Sequence, residues 1–142
     1  MKYLDFKIAL VISLSFLLGC GEKDPNLHNI IWFENNSDKT LYICASFTDF
    51  QDTIIPADNP SLAGDYYKSS PHTKGDQLEL RDTYEGRFDD LNTDLVRIFV
   101  FDETVFHNYE WDTIRNKYLV LERFDLSLED LNNQNWTVKF NE

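Results

Sequence analysis

Cysteine is nearly missing from this chain. Only Cys20 and Cys44 occur in 142 residues, which leaves room for at most one disulfide. With no C-x-x-C pair, a thiolate zinc site of that kind is excluded. Glycine is scarce as well, and five scattered residues do not build the Gly-rich loop that cradles phosphates. The three histidines, His28, His72 and His107, stand far apart with no HxH or HExxH spacing, so no zinc site is encoded locally. Positive charge is in short supply: 13 Lys and Arg against 25 Asp and Glu give a net −12. That balance removes the clustered cations on which nucleic-acid binding and adhesion to anionic lipid depend. No G-x-S-x-G elbow and no suggestive Cys–His pairing marks a nucleophile. No apolar run approaches the roughly 20 residues that a membrane-spanning helix needs.

Aromatics, by contrast, are abundant, at 15% of residues. Each buried ring removes a large area from water, so even a domain of about 120 residues can build a substantial core. This is not the composition of a disordered chain.

The amino terminus has an address written into it. Lys2 and Lys7 flank a single Asp5, and IALVISLSFLL follows at residues 8–18 without a charge. A basic segment followed by a short apolar one is the layout of a secretory signal. Leu17-Leu18-Gly19-Cys20 then resembles the bacterial lipobox, in which a small residue precedes the cysteine that is modified. A cysteine thiolate is the one good nucleophile here for accepting a diacylglyceryl group, and Gly19 leaves the cleaved bond accessible to a peptidase. The resemblance implies cleavage between Gly19 and Cys20, with Cys20 as the lipidated new terminus; several acyl chains make such an anchor durable. Residues 1–19 are then the signal peptide. Their removal takes two lysines and one aspartate, leaving a net −13. Residues 20–27 read as the lipidated cysteine and a polar tether, and residues 28–142 as a single β-rich domain. Gly21 is not the aspartate that resembles an inner-membrane retention signal, so the expected location is the outer membrane. Glu22 and Asp24 loosely resemble the acidic export signal of surface lipoproteins in some gut Gram-negative bacteria.

Within the domain, HNIIWFEN (28–35) is rich in strand formers and ends in the turn cluster NNSDK. In TLYICASF, Leu41, Ile43, Ala45 and Phe47 alternate with Tyr42, Cys44 and Ser46. That pattern predicts a strand with one buried face, paired with its predecessor in an antiparallel hairpin. Residues 48–75 read mostly as loop, with a short extended piece at Thr53–Ile55. QLELR (77–81) alternates as a strand, and DTYEGRFDDL (82–91) predicts a helical turn broken near Gly86. DLVRIFVFD (94–102) is apolar on both faces, the mark of a central strand covered on two sides. Asp102 is placed to cap a helix through ETVFHNY, with another helical turn in WDTIRNK and a strand in YLVLERFDL. Ser127-Leu128-Glu129-Asp130 has capping-box spacing and predicts a short helix. WTVKF closes the chain as a half-buried strand. Six or seven short strands with helical turns between them predict an antiparallel β-sandwich, immunoglobulin-like or transthyretin-like, with short helical insertions. An α+β sheet with helices on one face is the alternative.

The segments NNSDKTLYICASF and DLVRIFVFD, the carboxy-terminal run from YEWDTIRNKY to LEDLNNQNW, and the lipobox together resemble a group of small lipoproteins of gut Gram-negative anaerobes. The likeness covers most of the chain from about Asn35 onward, apart from the central loop at residues 48–76, and is most specific near the carboxy terminus. It implies an envelope address and brings no activity, cofactor or catalytic residue. Asp52-Thr53-Ile54 and Asp112-Thr113-Ile114 also resemble the Asp-Thr/Ser-aliphatic sequence used for O-glycosylation in the same bacterial group, making Thr53 and Thr113 candidate acceptors.

For chemistry, Asp90-Leu91-Asn92-Thr93-Asp94 opens like a calcium loop. It fails at Leu95, where a turn glycine belongs, and at Phe101, where the bidentate glutamate belongs. No metal or other cofactor is expected. The carboxylate pairs Asp89/Asp90, Asp102/Glu103 and Glu129/Asp130 are neighbours in sequence, whereas glycoside hydrolysis needs carboxyls facing across a cleft; caps and a solvated surface account for them. A sugar-stacking platform is a further candidate, built from Tyr66 and Tyr67 in one connection and His107, Tyr109 and Trp111 in another. The expected function is a non-enzymatic envelope lipoprotein, attached to the membrane by its lipid and binding a protein or glycan partner. A glycan-binding or glycan-hydrolysing envelope protein is the alternative.

Overall fold

The computed structural model describes residues 26–47 and 55–142. The expected signal peptide at residues 1–19, Cys20 and Thr53 lie outside the described residues. In chain order the described elements are β1 (Ile30–Asn35), β2 (Leu41–Ser46), a pair of 3-10 turns within Pro60–Tyr67 that kinks at Gly64, and β3 (Lys68–Ser69). Then come β4 (Lys74–Glu79), α1 (Tyr84–Leu91), β5 (Val96–Asp102), α2 (Glu103–Asn108) and α3 (Trp111–Asn116). The chain ends with β6 (Glu122–Leu126), α4 (Leu128–Asn133) and β7 (Thr137–Phe140).

Two sheets result, one in the order β4-β1-β7 and the other in the order β3-β2-β5-β6. All pairings are antiparallel except β1 with β7. The inward residues of both sheets meet in one core: Ile31 and Phe33 of β1, Leu41 and Ile43 of β2, Val96, Ile98 and Val100 of β5, Val138 and Phe140 of β7. Tyr84 and Phe88 of α1 and Leu131 of α4 join the same cluster. A second cluster lies on the outer face of the four-stranded sheet. There Cys44, Phe99 and Phe101 are roofed by Ile55 and by Ile114 of α3, with Val105 and Phe106 of α2 packed alongside.

Four local expectations are corrected. The hairpin between the first two strands does not form, because β1 and β2 belong to different sheets. NNSDK is instead the corner where the chain crosses from one sheet to the other. Asn35 is fully buried there: its Nδ2 donates to Lys39 O at 2.8 Å and Ser70 O at 3.0 Å, while its Oδ1 accepts from Ser37 N at 3.0 Å and Ser37 Oγ at 2.7 Å. This buried amide ties the β1–β2 connection to the β3–β4 connection and so helps fix the corner.

The pairing of β7 with β1 is parallel rather than antiparallel. Past α4, Asn135 and Trp136 take left-handed φ values of 48° and 57°. This turn brings Trp136 O to accept from Trp32 N at 2.8 Å, so β7 runs alongside β1 in the same direction.

Helix α1 is continuous through Gly86. Thr83 Oγ1 accepts from Gly86 N at 3.1 Å, and Tyr84 and Phe88, four residues apart, bury on one face. Their burial outweighs the cost of about 1 kcal/mol for a helical glycine. Finally, β2 is covered on both faces, since Tyr42 and Cys44 point into the second cluster.

Candidate functional site

The described side chains of the expected stacking platform do not share one surface. Tyr67 is half-buried and packs against the core between the sheets. Tyr66 falls at the end of the 3-10 pair, and its side chain is outside the described set. Trp111 opens α3 and packs instead on the second cluster, its ring centroid 5.6 Å from Phe101 and 5.9 Å from Phe106, with Nε1 donating to Ala57 O at 2.8 Å. Tyr109 is 47% exposed, with Lys117 Nζ 5.8 Å from its ring centroid. His107 is exposed in the last turn of α2. Thr113 lies half-exposed within α3, its N–H donating to Glu110 O at 2.9 Å.

What the fold builds beside Trp111 is a groove of about 530 Å³, with Leu62 at its edge and Asp58, Glu110 and Asp112 around it. Leu62 is 83% exposed. Ala57, Leu62 and Trp111 supply its apolar lining, and three carboxylates and Asn59 its polar lining.

The calcium-like segment serves a structural end. Asn92, at φ 47° and ψ 48°, is the C-cap of α1, and Thr93 Oγ1 donates to Leu95 O at 3.1 Å. Asp89, Asp94 and Glu129 border a groove of about 400 Å³ there. Among the described residues, no group of three or more His, Cys, Asp or Glu side chains is placed to hold a metal ion.

Many of the charged groups have a structural job. Asp102 caps α2: burial works against its ionisation, but hydrogen bonds from Thr104 Oγ1 at 2.6 Å and Thr104 N at 2.9 Å, with Lys39 nearby, hold its carboxyl below the ordinary range. Asp130 is likewise lowered, by Ser127 Oγ and then Ser127 N, in a complete capping box on α4. Lys39 is raised chiefly by its hydrogen bond to Glu142. Lys68 Nζ pairs with Glu103 Oε1 at 2.7 Å. Cys44 is a buried free thiol pushed up to about 12 by burial, which keeps it protonated and unreactive near neutral pH.

A third groove escaped the sequence reading. It has a volume of about 370 Å³ and lies where the described chain begins, between Leu27, His28, Trp32 and Trp136. His28 is clamped: its ring stacks on Trp136 at 4.0 Å, its Nδ1 lies 2.7 Å from Glu85 Oε1, and its backbone N–H donates to Glu85 Oε2 at 2.9 Å. Trp136 Nε1 donates to Asn132 Oδ1 at 3.0 Å, which helps hold this bulky residue at its positive φ. Trp32 stands on the outer face of the three-stranded sheet, 37% exposed. The one signal for it in the sequence is a large ring out of phase with Ile31 and Phe33.

No protein-family model, curated protein or solved structure matches the chain. No helix among the described residues is long and apolar enough to cross a membrane.

Proposed function

We infer that this protein is a lipid-anchored domain of the bacterial cell envelope that acts by binding rather than by catalysis. The observation that carries the reading is the sequence LLGC directly after a charge-free apolar segment, with a folded strand beginning ten residues beyond Cys20 at Ile30. A diacylglyceryl thioether on Cys20 Sγ, with further acylation at the new terminus, would hold the domain on the outer membrane. The structural jobs of the carboxylates support the non-enzymatic part: Asp102 and Asp130 cap helices, Glu103 pairs with Lys68 and Glu85 with His28. The groove beside Trp111 and Leu62 is the surface offered to a protein or glycan partner.

The body is proposed to be a two-layer β-sandwich of the transthyretin-like kind. In the immunoglobulin arrangement the first two strands lie side by side in one sheet. Here β1 lies between β4 and β7, and β2 between β3 and β5. That separation of β1 from β2 is what supports the transthyretin-like reading.

The test is fractionation of cells expressing the full chain. Wild-type protein is expected in the membrane fraction with a lipidated Cys20 by intact mass, and Cys20→Ala in the soluble fraction. Membrane retention of Cys20→Ala, or a bare thiol on the native protein, overturns the anchor.

A further inference from the structure

We propose that the outer face of the three-stranded sheet, centred on Trp32 and continued by Leu27, is the side of the domain that rests on the lipid surface. The proposal rests on the lipid-anchor reading and deepens it by giving the anchored domain an orientation.

Three observations converge. The first is reach. At no more than about 3.5 Å per residue, the chain from Cys20 to Leu27 spans at most about 25 Å. A lipid on Cys20 Sγ therefore keeps Leu27 within that distance of the headgroups. The groove formed by Leu27, Trp32 and Trp136 begins at that very point of the fold.

The second is chemistry. Leu27 is 48% exposed and Trp32 37%. Trp32 is central on its sheet, opposite Gln77 on one side and Thr137 on the other. The register of β4 skips Gly75, which bulges at φ 90° beside the indole, a backbone conformation that favours glycine. Indole with an adjoining aliphatic side chain is the combination that settles at the level of lipid headgroups, where one part is apolar and the other wet.

The third is charge. A lipidated chain carries −13, and a strongly acidic surface is repelled by an anionic leaflet. On this face the charges alternate in sign: Glu34 stands between Lys74 and Lys139 in the register, with Lys139 Nζ 3.0 Å from Glu34 Oε2. Glu79, opposite Ile30, stands at the rim. The acidic groove with Leu62 and Trp111 lies beyond the other sheet, so the same orientation turns it away from the membrane.

The experiment uses the protein extracted from native membranes and reconstituted in phosphatidylcholine vesicles, with or without acyl chains brominated near the headgroup. Tryptophan emission should fall in the brominated vesicles, and aqueous iodide should fail to remove that component. Trp32→Phe should abolish the bromolipid effect, and Leu27→Ser, which leaves all three indoles in place, should weaken it. Iodide quenching without bromolipid quenching overturns the proposal and leaves the face open to a soluble partner such as a glycan. Shielding that grows with protein density in the vesicle, without bromolipid quenching, overturns it in favour of a second copy of the chain. Intact mass on the same sample separates the two readings. Lipidated Cys20 with Trp32 untouched by bromolipid sinks the docking and spares the anchor. Bare Cys20 with quenching by added vesicles does the reverse.

Discussion

The two sheets of this protein turn opposite kinds of outer face to their surroundings. Outside the four-stranded sheet, Cys44, Phe99 and Phe101 are sealed beneath Ile55, α2 and α3. Outside the three-stranded sheet, Ile30, Trp32 and Glu34 are half-buried or exposed, beside Thr137 and Lys139. The difference follows from connection length. The β5–β6 connection spans α2 and α3, enough chain to fold back over the sheet it leaves. No such excursion returns over β4, β1 and β7 among the described residues. A covered outer face favours a nearly continuous apolar run in the strand beneath it, which is how β5 reads from Ile98 to Phe101. An open one demands alternation, which is how β1 reads. A large indole on the open side is therefore the exception that calls for a partner, while the rings on the sealed side have theirs within the molecule.

The contrast can be broken most severely at Phe101. Phe101→Ala empties a fully buried site beneath Phe106 and Trp111 and should cost about 3–5 kcal/mol in denaturant unfolding. Trp32→Lys, on the open face, should leave a folded protein at a cost of about 1–2 kcal/mol, because the lysine head can stay in water. Equal losses at the two positions would mean that the faces are not different in kind.

The next largest effect tests the corner that puts β1 and β2 in separate sheets. Asn35→Ala removes the amide joining Lys39 O and Ser70 O and leaves buried polar groups without it. A loss of about 2–3 kcal/mol is expected. Asn35→Asp should be similarly harmful, since a carboxylate cannot donate to those carbonyls. Thermal unfolding of both variants against wild type measures this.

The smallest effect concerns the cover over the four-stranded sheet. Asp102 has a folded-state value below its unfolded one, about 3.9, so its contribution to stability is present above that pH and is lost as pH falls through the lower folded value. Acid should loosen the α2 cap in that window. Asp102→Asn should lower stability slightly at neutral pH and flatten the acid dependence as pH falls below about 3.9, read by unfolding midpoints. An unchanged acid slope would remove Asp102 from the list of groups that set it.

Local rules made a good part of this visible in the amino-acid order. The two-sided apolar run of β5, the Asp102 cap, the Ser127–Asp130 capping box and the alternation of β7 all appear where their residue types place them. The platform residues were legible only as types, because burial of Tyr67 in one cluster and Trp111 in the other is decided by which elements close over them. Gly86 misled for a related reason: the helix gains its stability from Tyr84 and Phe88 packing on the core, which no local propensity includes.

Taken alone, the sequence determined periods, caps and the charge-free run at residues 8–18 followed by Gly19-Cys20, since each depends on a few neighbouring residues. Only tertiary structure decided that β1 joins β4 and β7 rather than β2, that β7 runs parallel, and that Leu27, Trp32 and Trp136 share one groove. Those outcomes rest on contacts between segments as many as about a hundred residues apart. Such contacts form when buried area and a satisfied Asn35 together outweigh the entropy of closing the loops between them.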